Sequence, residues 1–375
     1  MTTETTTRTV RAMVQTGPRA MELRDLPRPP VGDDEALIRI EACGICGSDI
    51  SMYDADASHG GATMEYPVIR GHEPVGIVEE IGESMAQRHH LAVGDRVAID
   101  PFLRCGSCRF CLLGRGELCT GGSRDHNTYA MIPIDVDGGL WGGFATHLKA
   151  TSQTILYKVP PHVPANRAAM FNLLGGGIKW AVDVGGATVG SRVVVLGCGQ
   201  RGIACAIAAL EAGAEFVAVT GLSSDAHKLA IARDLGVHLA VDVQQDDVLT
   251  TVLEQHPEGV DLVIDTTPGY TGAVLDALAL VSTGGRIVLA GTKGTPLDGF
   301  PIDQVIRKEV SINGVLGTGA DHYRRAIGLI ATTSLPLDRI QTHVLPLDQV
   351  EHAIQLLSGE ATDDHPPLNI VIEVQ

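Results

Sequence analysis

Hydrophobic and polar positions fall into two textures along the chain. To about residue 150, short runs of alternating polarity are broken by Gly and Pro; "ALIRIEA", "VGIVEEIG" and "DRVAIDP" are examples. Alternation between turn signals predicts strands, so this part is expected to be an all-β domain with hairpins and a barrel-like core. From about residue 166, strand-like apolar runs ("RVVVLG", "FVAVTG", "VDLVID", "GGRIVLAG") alternate with helical stretches ("GIACAIAALEAGA", "SDAHKLAIARDLG", "GAVLDALALV"). That alternation predicts βαβ units and a parallel sheet, an α/β arrangement. After about residue 317, "HYRRAIGLIATTSL" and "LDQVEHAIQLLSG" predict two helices, and "NIVIEV" a last strand. One stretch fits neither texture cleanly. "AAMFNLLGGGIKWAV", Ala168 to Val182, opens like a buried helix, carries Asn172 in an apolar setting, and then has three glycines in a row.

The length of 375 residues exceeds one ordinary core, so two domains are expected. Hydrophobic content of 44% with 19% charged residues fits a soluble globular protein. No run of eighteen apolar residues appears, which argues against a membrane partner. The start, "MTTETTTRTVRAM", has no apolar segment and reads as a short frayed tail rather than a secretion signal, so a cytoplasmic location is expected. A net charge of −17 excludes a generally basic surface, and no nucleic-acid partner is expected. The acidity itself is read as solubility and self-repulsion.

Eight cysteines are present, and four of them fall within "CGSCRFCLLGRGELC". In a chain of this size without a signal peptide, such clustering points to metal rather than disulfides. Cys105, Cys108, Cys111 and Cys119 have C-x2-C-x2-C-x7-C spacing, which suits a closed tetrahedral zinc. An iron–sulfur cluster also takes four cysteines and is the second choice. Four protein ligands leave no open position, so this signal is structural.

"RVVVLGCGQRGIACAIAAL" places Gly197, Gly199 and Gly202 in GxGxxG spacing, directly after an apolar strand and opening an Ala-rich helix. That context raises a weak pattern to a dinucleotide site: the first Gly makes the tight turn, the second admits the pyrophosphate, and the third lets helix and strand pack closely. Gln200 and Arg201, inside the turn, join the cofactor candidates. The next strand ends near Gly221, where a strict NAD preference would place Asp or Glu; Asp225 comes a few residues late. Without a carboxylate there, a 2′-phosphate is not repelled, and Ser223, Ser224, His227 or Lys228 is placed to contact it. No Arg follows directly. The reading leans to NADP, with NAD held through backbone groups as the alternative.

"EACGICGSDI" contains Cys43 and Cys46, and "IRGHEPVGIVEEIG" contains His72 and Glu73. A Cys–His–carboxylate set can hold zinc with a position open to water or an alcohol. Alone, one buried Cys and one His are ordinary core residues, and Cys43 sits in strand phase and is assigned to the core.

"GICGSD", "GHEPVGIVEEIG" with "VGDRVAIDP", the four-cysteine lobe and "VVVLGCGQRG", in this order, resemble the zinc-containing medium-chain alcohol and polyol dehydrogenases. The resemblance runs from about residue 10 to the end. It implies a GroES-like β-barrel catalytic domain over 1–171 with a structural-zinc lobe at about 104–120. A Rossmann doubly wound domain would cover 172–317, and a segment 318–375 would complete the catalytic domain. It implies two zinc ions per chain, NAD or NADP, a small alcohol or ketone substrate, and a homodimer or homotetramer. By motif, Cys46 and His72 would bind the catalytic zinc, with Glu73 as an alternating or neighbouring carboxylate, and Ser48 would contact the substrate oxygen and begin a proton relay. "LAGTKG", with Leu289 and Gly291, and "NGVLG" would lie near the nicotinamide.

The resemblance also implies a further charged ligand near the start of the interdomain helix, and Asn172 stands at that position. Three outcomes stay open there: Asn172 binds weakly or through water, another residue supplies the ligand, or the zinc is weak or absent. With Asn172 in place of a charged ligand, the site carries one less negative charge, which predicts a more Lewis-acidic and less tightly held zinc. Tyr53, Trp141, Phe144 and Met170 are candidate apolar walls for a secondary or cyclic alcohol, with a place in the core the equal alternative for each. The same motifs serve relatives that use bound NAD(P) for a lyase or epimerase reaction, and a relative without catalysis.

Overall fold

The computed structural model describes residues 9–55, 65–121 and 128–374. The first eight residues of the Thr-rich start expected as a tail lie outside them. The chain forms two compact units. The first runs up to Phe171 and includes Ile327–Thr333 and everything from Gln341; the second is Asn172–Ala326 with Ser334–Ile340.

In the first unit, the strand Ala36–Ile45 is the spine of a seven-stranded sheet. The order is Gln341–Pro346, Asn369–Glu373, Ala36–Ile45, Pro74–Ile81, Arg96–Ile99 and Leu156–Lys158, and His147–Ala150 also pairs with the spine. Eight of the ten spine residues are buried, so the run is apolar on both faces rather than strictly alternating. A second sheet joins Ala20–Pro27, Thr9–Gly17 and Val68–Ile69. The core between these strands contains Ile38, Val78, Ile99, Phe144 and Ile370. The helix Gly47–Asp54 leaves the end of the spine at Cys46. Cys43, two residues inside that end, is fully buried, in keeping with its strand phase.

The second unit is a six-stranded parallel sheet in the order Leu239–Asp242, Phe216–Gly221, Arg192–Leu196, Val260–Asp265, Val281–Leu289 and Ser311–Gly314. The order reverses at Arg192–Leu196, the switch point at which such sheets bind ligands. Helices Gln200–Glu211, Ala226–Asp234 and Gly272–Leu280 lie where the alternation predicts them.

The second unit reaches past the expected limit of 317, to Ala326. The first turns of the helix Ala320–Thr332 carry His322 and Arg325, and both pair with Asp183, at 2.9 and 2.6 Å. Tyr323 is buried against Gly175, where an added Cβ would lie 3.0 Å from its ring.

The odd stretch resolves into the helix Phe171–Gly177 followed by a π-helical segment, Ile178–Val184. Its glycines are there for packing. A Cβ on Gly177 would lie 2.2 Å from the carbonyl oxygen of Ala204, so a larger residue would separate this helix from Gln200–Glu211.

Candidate functional site

Cys105, Cys108, Cys111 and Cys119 bring their sulfurs within 4.8 Å of one another. Cys105 and Cys111 are 4.0 Å apart, and Cys108 and Cys119 3.8 Å apart. Zinc–sulfur bonds of 2.3 Å in a tetrahedron require a sulfur–sulfur edge of about 3.8 Å, so the four thiols fit zinc as they stand. The backbone favours thiolates: N–H groups of Cys111 and Thr120 draw Cys108 down to about 6. Cys111 is pushed up to about 12, first by burial and then by its neighbouring thiols, as expected where four thiolates cannot coexist without a cation.

A second set of donors forms at the end of the spine strand. Cys46, His72 and Glu73 place their ligand atoms within 4.8 Å of one another. Cys46 is the residue from which the helix Gly47–Asp54 starts, and Asp49 Oδ2 accepts from its backbone N–H at 2.8 Å. The other oxygen, Asp49 Oδ1, lies 3.4 Å from His72 Nδ1. That leaves Nε2 on the side of Ser48, whose Oγ is 3.4 Å away. A carboxylate behind one imidazole nitrogen, in a group that also holds a thiol and a second carboxylate, is the arrangement that orients a metal-binding histidine. Burial opposes a charged imidazole, yet Asp49 and Cys46 together raise His72 well above its ordinary range. Glu73 is 1% exposed, and a buried carboxylate is tolerated when paired or bound to metal. Its Oε2 lies directly over Gly44, where an added Cβ would be 2.4 Å away.

Asp49 escaped the sequence reading. Its signal was its position three residues beyond the helix start, the spacing at which a side chain reaches back to a helix N-terminus. The expected pocket walls fare differently: Tyr53, Trp141, Phe144 and Met170 are all at most 5% exposed and belong to cores. Tyr53 donates to Glu351 Oε1 at 2.6 Å, and Trp141 Nε1 to the carbonyl of Val136 at 2.7 Å.

In the second unit the Gly-rich turn has the shape a pyrophosphate needs. Gly197 has φ +100°, open to glycine without strain. Nothing lies within 4 Å of the place where a Gly199 Cβ would be. A Cβ on Gly202 would sit 1.9 Å from the Gly197 carbonyl oxygen. The helix Gln200–Glu211 starts at Gly199, so its N-terminus faces this turn.

The Arg201 side chain reaches the helix that begins at Phe171. Its Nη1 donates to the Asn172 carbonyl at 2.8 Å, its Nη2 to Asn172 Oδ1 at 2.9 Å, and its guanidinium lies 5.7 Å from the Trp180 ring centre. Asn172, 4% exposed, thus has its amide oxygen engaged by a cation. The "LAGTKG" segment is likewise tied down. Leu289 ends a strand, Gly291 packs against the Thr267 carbonyl, and Lys293 pairs with the wholly buried Asp265 at 2.7 Å. Lys228 pairs with Asp225 at 2.8 Å, and Ser223 Oγ donates to Asp242 Oδ2 at 2.7 Å.

Comparison with known proteins accords with this geometry. The alcohol dehydrogenase GroES-like domain family matches residues 32–161, and the zinc-binding dehydrogenase family matches 202–332. A Mycobacterium tuberculosis protein called probable alcohol dehydrogenase is 37% identical over 97% of this chain and 98% of its own length. The erythritol/L-threitol dehydrogenase of Mycolicibacterium smegmatis is 31% identical over 93% of this chain and 94% of its own. A structure assigned as a zinc-binding dehydrogenase of Sinorhizobium meliloti 1021, bound to NADP, superposes with a TM-score of 0.83. It is 27% identical and covers 98% of this chain and 99% of that one. Fold and donor sets thus define a zinc-binding, dinucleotide-dependent oxidoreductase. The chain belongs to the zinc-containing medium-chain dehydrogenase/reductase family, whose members use zinc and NAD(P) on alcohols. No helix among the described residues is long and apolar enough to cross a membrane.

Proposed function

We propose that this NAD(P)-dependent zinc alcohol dehydrogenase acts on a secondary alcohol, with Cys46, His72 and Glu73 as the protein ligands of the catalytic zinc. The observation that carries the reading is the convergence of that thiol, imidazole and buried carboxylate, with Asp49 behind the imidazole. Zinc bound there supplies a Lewis acid for the substrate oxygen, and the nicotinamide supplies the hydride acceptor. The protein's own part is placement and proton handling. Ser48 Oγ, within reach of His72 Nε2, is positioned to accept the alcohol proton and pass it outward. Asp49 holds the imidazole orientation through both helix start and ring contact. The four-cysteine lobe binds a second zinc that staples a loop with little core of its own.

A secondary alcohol is favoured because the chain is similar both to an alcohol dehydrogenase and to an erythritol/L-threitol dehydrogenase, and a secondary carbinol is common ground between such substrates. The test is a panel of secondary alcohols, polyols and cyclic alcohols with each dinucleotide, following the absorbance of the reduced nicotinamide. Net reduction with secondary alcohols is expected. Product without net reduction would replace this reading by a lyase or epimerase reaction, and binding without turnover by a non-catalytic role.

We further read Asn172 as an anchor for Arg201 rather than a zinc ligand. A hydrogen bond from a charged donor contributes about 1.5–3 kcal/mol, and metal binding would forfeit it for a neutral, weak ligand. Asn172→Ala is expected to retain the zinc content of the parent after dialysis against a chelator, while lowering the melting temperature. Selective loss of one zinc per chain would make Asn172 a ligand after all.

The assembly is read as a homo-oligomer in the cytoplasm. The supporting observation is the edge strand Ser311–Gly314, with Ile302, Ile306 and Leu316 exposed at 58%, 69% and 77% in the flanking segments. Sedimentation in dilute solution checks it, with a monomer overturning it.

A further inference from the structure

The end of the strand Phe216–Gly221 is where a Rossmann sheet reads the adenosine ribose of its dinucleotide. The sequence has Gly221 there instead of an acid. The fold brings an acid to the same place from the neighbouring strand: Gly221 pairs in register with Asp242, the last residue of Leu239–Asp242. Asp242 is half-buried and held firmly. Its Oδ2 accepts from Ser223 Oγ at 2.7 Å and its Oδ1 from the Gln244 N–H at 3.0 Å. The Ser223 N–H donates in turn to Gln244 Oε1 at 3.0 Å, so exposed Ser223 and Asp242 form one cross-strand unit.

A second carboxylate stands in the same loop. Burial works to raise Asp225, but hydrogen bonds from Lys228 and from the Leu222 N–H, at 2.8 and 3.1 Å, outweigh it and hold Asp225 below the usual carboxylate range. Lys228 is therefore committed to an anion already present. Between Gly221 and Lys228 the sequence supplies no other cation except His227.

We propose that Asp242, presented through Ser223 beside Gly221, takes the role of the missing acid and makes the chain select NAD(H) over NADP(H). A ribose 2′-hydroxyl can give its proton to Asp242, which the Ser223 hydroxyl already holds in place by its own hydrogen bond. A 2′-phosphate has only acceptors at neutral pH and close to two negative charges. It would meet two carboxylates and one ammonium, a net repulsion, and its single cation would have to abandon Asp225. Charges of this number at hydrogen-bonding separation change affinity by about tenfold or more even when partly screened by water. This reverses the lean toward NADP drawn from the strand end alone. It rests on the dehydrogenase reading but concerns only which dinucleotide is held. The NADP carried by the Sinorhizobium meliloti relative does not decide the matter, because the discrimination lies in side chains of this loop.

The test is direct binding, read by nicotinamide fluorescence or calorimetry on the zinc-loaded protein with no alcohol present. NADH is expected to bind at least tenfold more tightly than NADPH. Asp242→Asn keeps the shape and removes the charge. It is expected to narrow the ratio by about tenfold, mostly by improving NADPH. Ser223→Ala is expected to weaken NADH a few-fold without improving NADPH. Equal or tighter binding of NADPH by the parent overturns the proposal, as does an unchanged ratio in Asp242→Asn. If neither dinucleotide binds, both the proposal and the dehydrogenase reading fall. Tight NADPH binding with turnover of alcohols removes the proposal alone.

Discussion

Gly202→Ala is expected to abolish dinucleotide binding and to cost the second unit on the order of 3 kcal/mol of stability, the upper range for forcing atoms into a packed site. The added methyl would lie 1.9 Å from the Gly197 carbonyl oxygen and 3.0 Å from Thr266 Oγ1. Neither neighbour can retreat cheaply. The Gly197 carbonyl is backbone in the turn itself, and Thr266 Oγ1 donates to the Leu196 carbonyl at 2.9 Å. The start of the helix Gln200–Glu211 must move, and with it the N–H groups aimed at the phosphates. Gly199→Ala separates binding from folding. Nothing lies within 4 Å of that position, and φ −65°, ψ 176° suits alanine. The melting temperature should hold while dinucleotide affinity falls, because the methyl occupies the space through which the backbone approaches the pyrophosphate. Melting curves and nucleotide titration of both variants check the pair. Normal affinity in Gly199→Ala would place the pyrophosphate elsewhere.

Gly44→Ala is expected to leave one zinc per chain instead of two and to reduce alcohol oxidation about 100-fold, a loss typical of disturbing groups that hold a metal. A Cβ there would meet Glu73 Oε2 at 2.4 Å and Glu73 Cβ at 3.3 Å. Glu73 is buried, so its carboxylate has no solvent-filled space to enter and must leave its place beside Cys46 and His72. The spine strand itself can accept alanine, because its ladder to Asn369–Glu373 uses backbone groups. The four-cysteine lobe is made by other elements and should keep its zinc, so metal analysis distinguishes a lost site from a lost fold. Two zincs retained after chelator dialysis would show that Glu73 is no ligand.

Much of this arrangement was legible in the sequence where chemistry and spacing coincide. The lobe could be read because four thiolates within one short segment have few other uses. The Gly-rich turn could be read because strand, glycines and helix follow one another without a gap. Other features depend on distances between residues far apart in the chain. Asp49 looks like any acid near a helix start until His72 is brought 3.4 Å from it. Asp242 belongs to another βα unit, and only the parallel register with Gly221 gives it meaning. Arg201, a cofactor candidate by sequence, has its guanidinium on Asn172, a partner 29 residues away that the spacing of the Gly-rich turn does not announce. For Tyr53, Trp141, Phe144 and Met170 the sequence left wall and core equally open, and their burial is that of core side chains, the commoner use of large apolar residues.

The bond between Arg201 and Asn172 makes two positions 29 residues apart in sequence interdependent. A carboxylate placed at 172 would meet a guanidinium at 2.9 Å before it could serve any metal, and would be neutralised there. Asn172→Glu alone should therefore yield an internal ion pair, and a ligand of the charged kind could return only with Arg201 replaced as well. A lineage that had exchanged one residue would find reversal blocked until it exchanged the other, so the asparagine and the arginine form an epistatic pair.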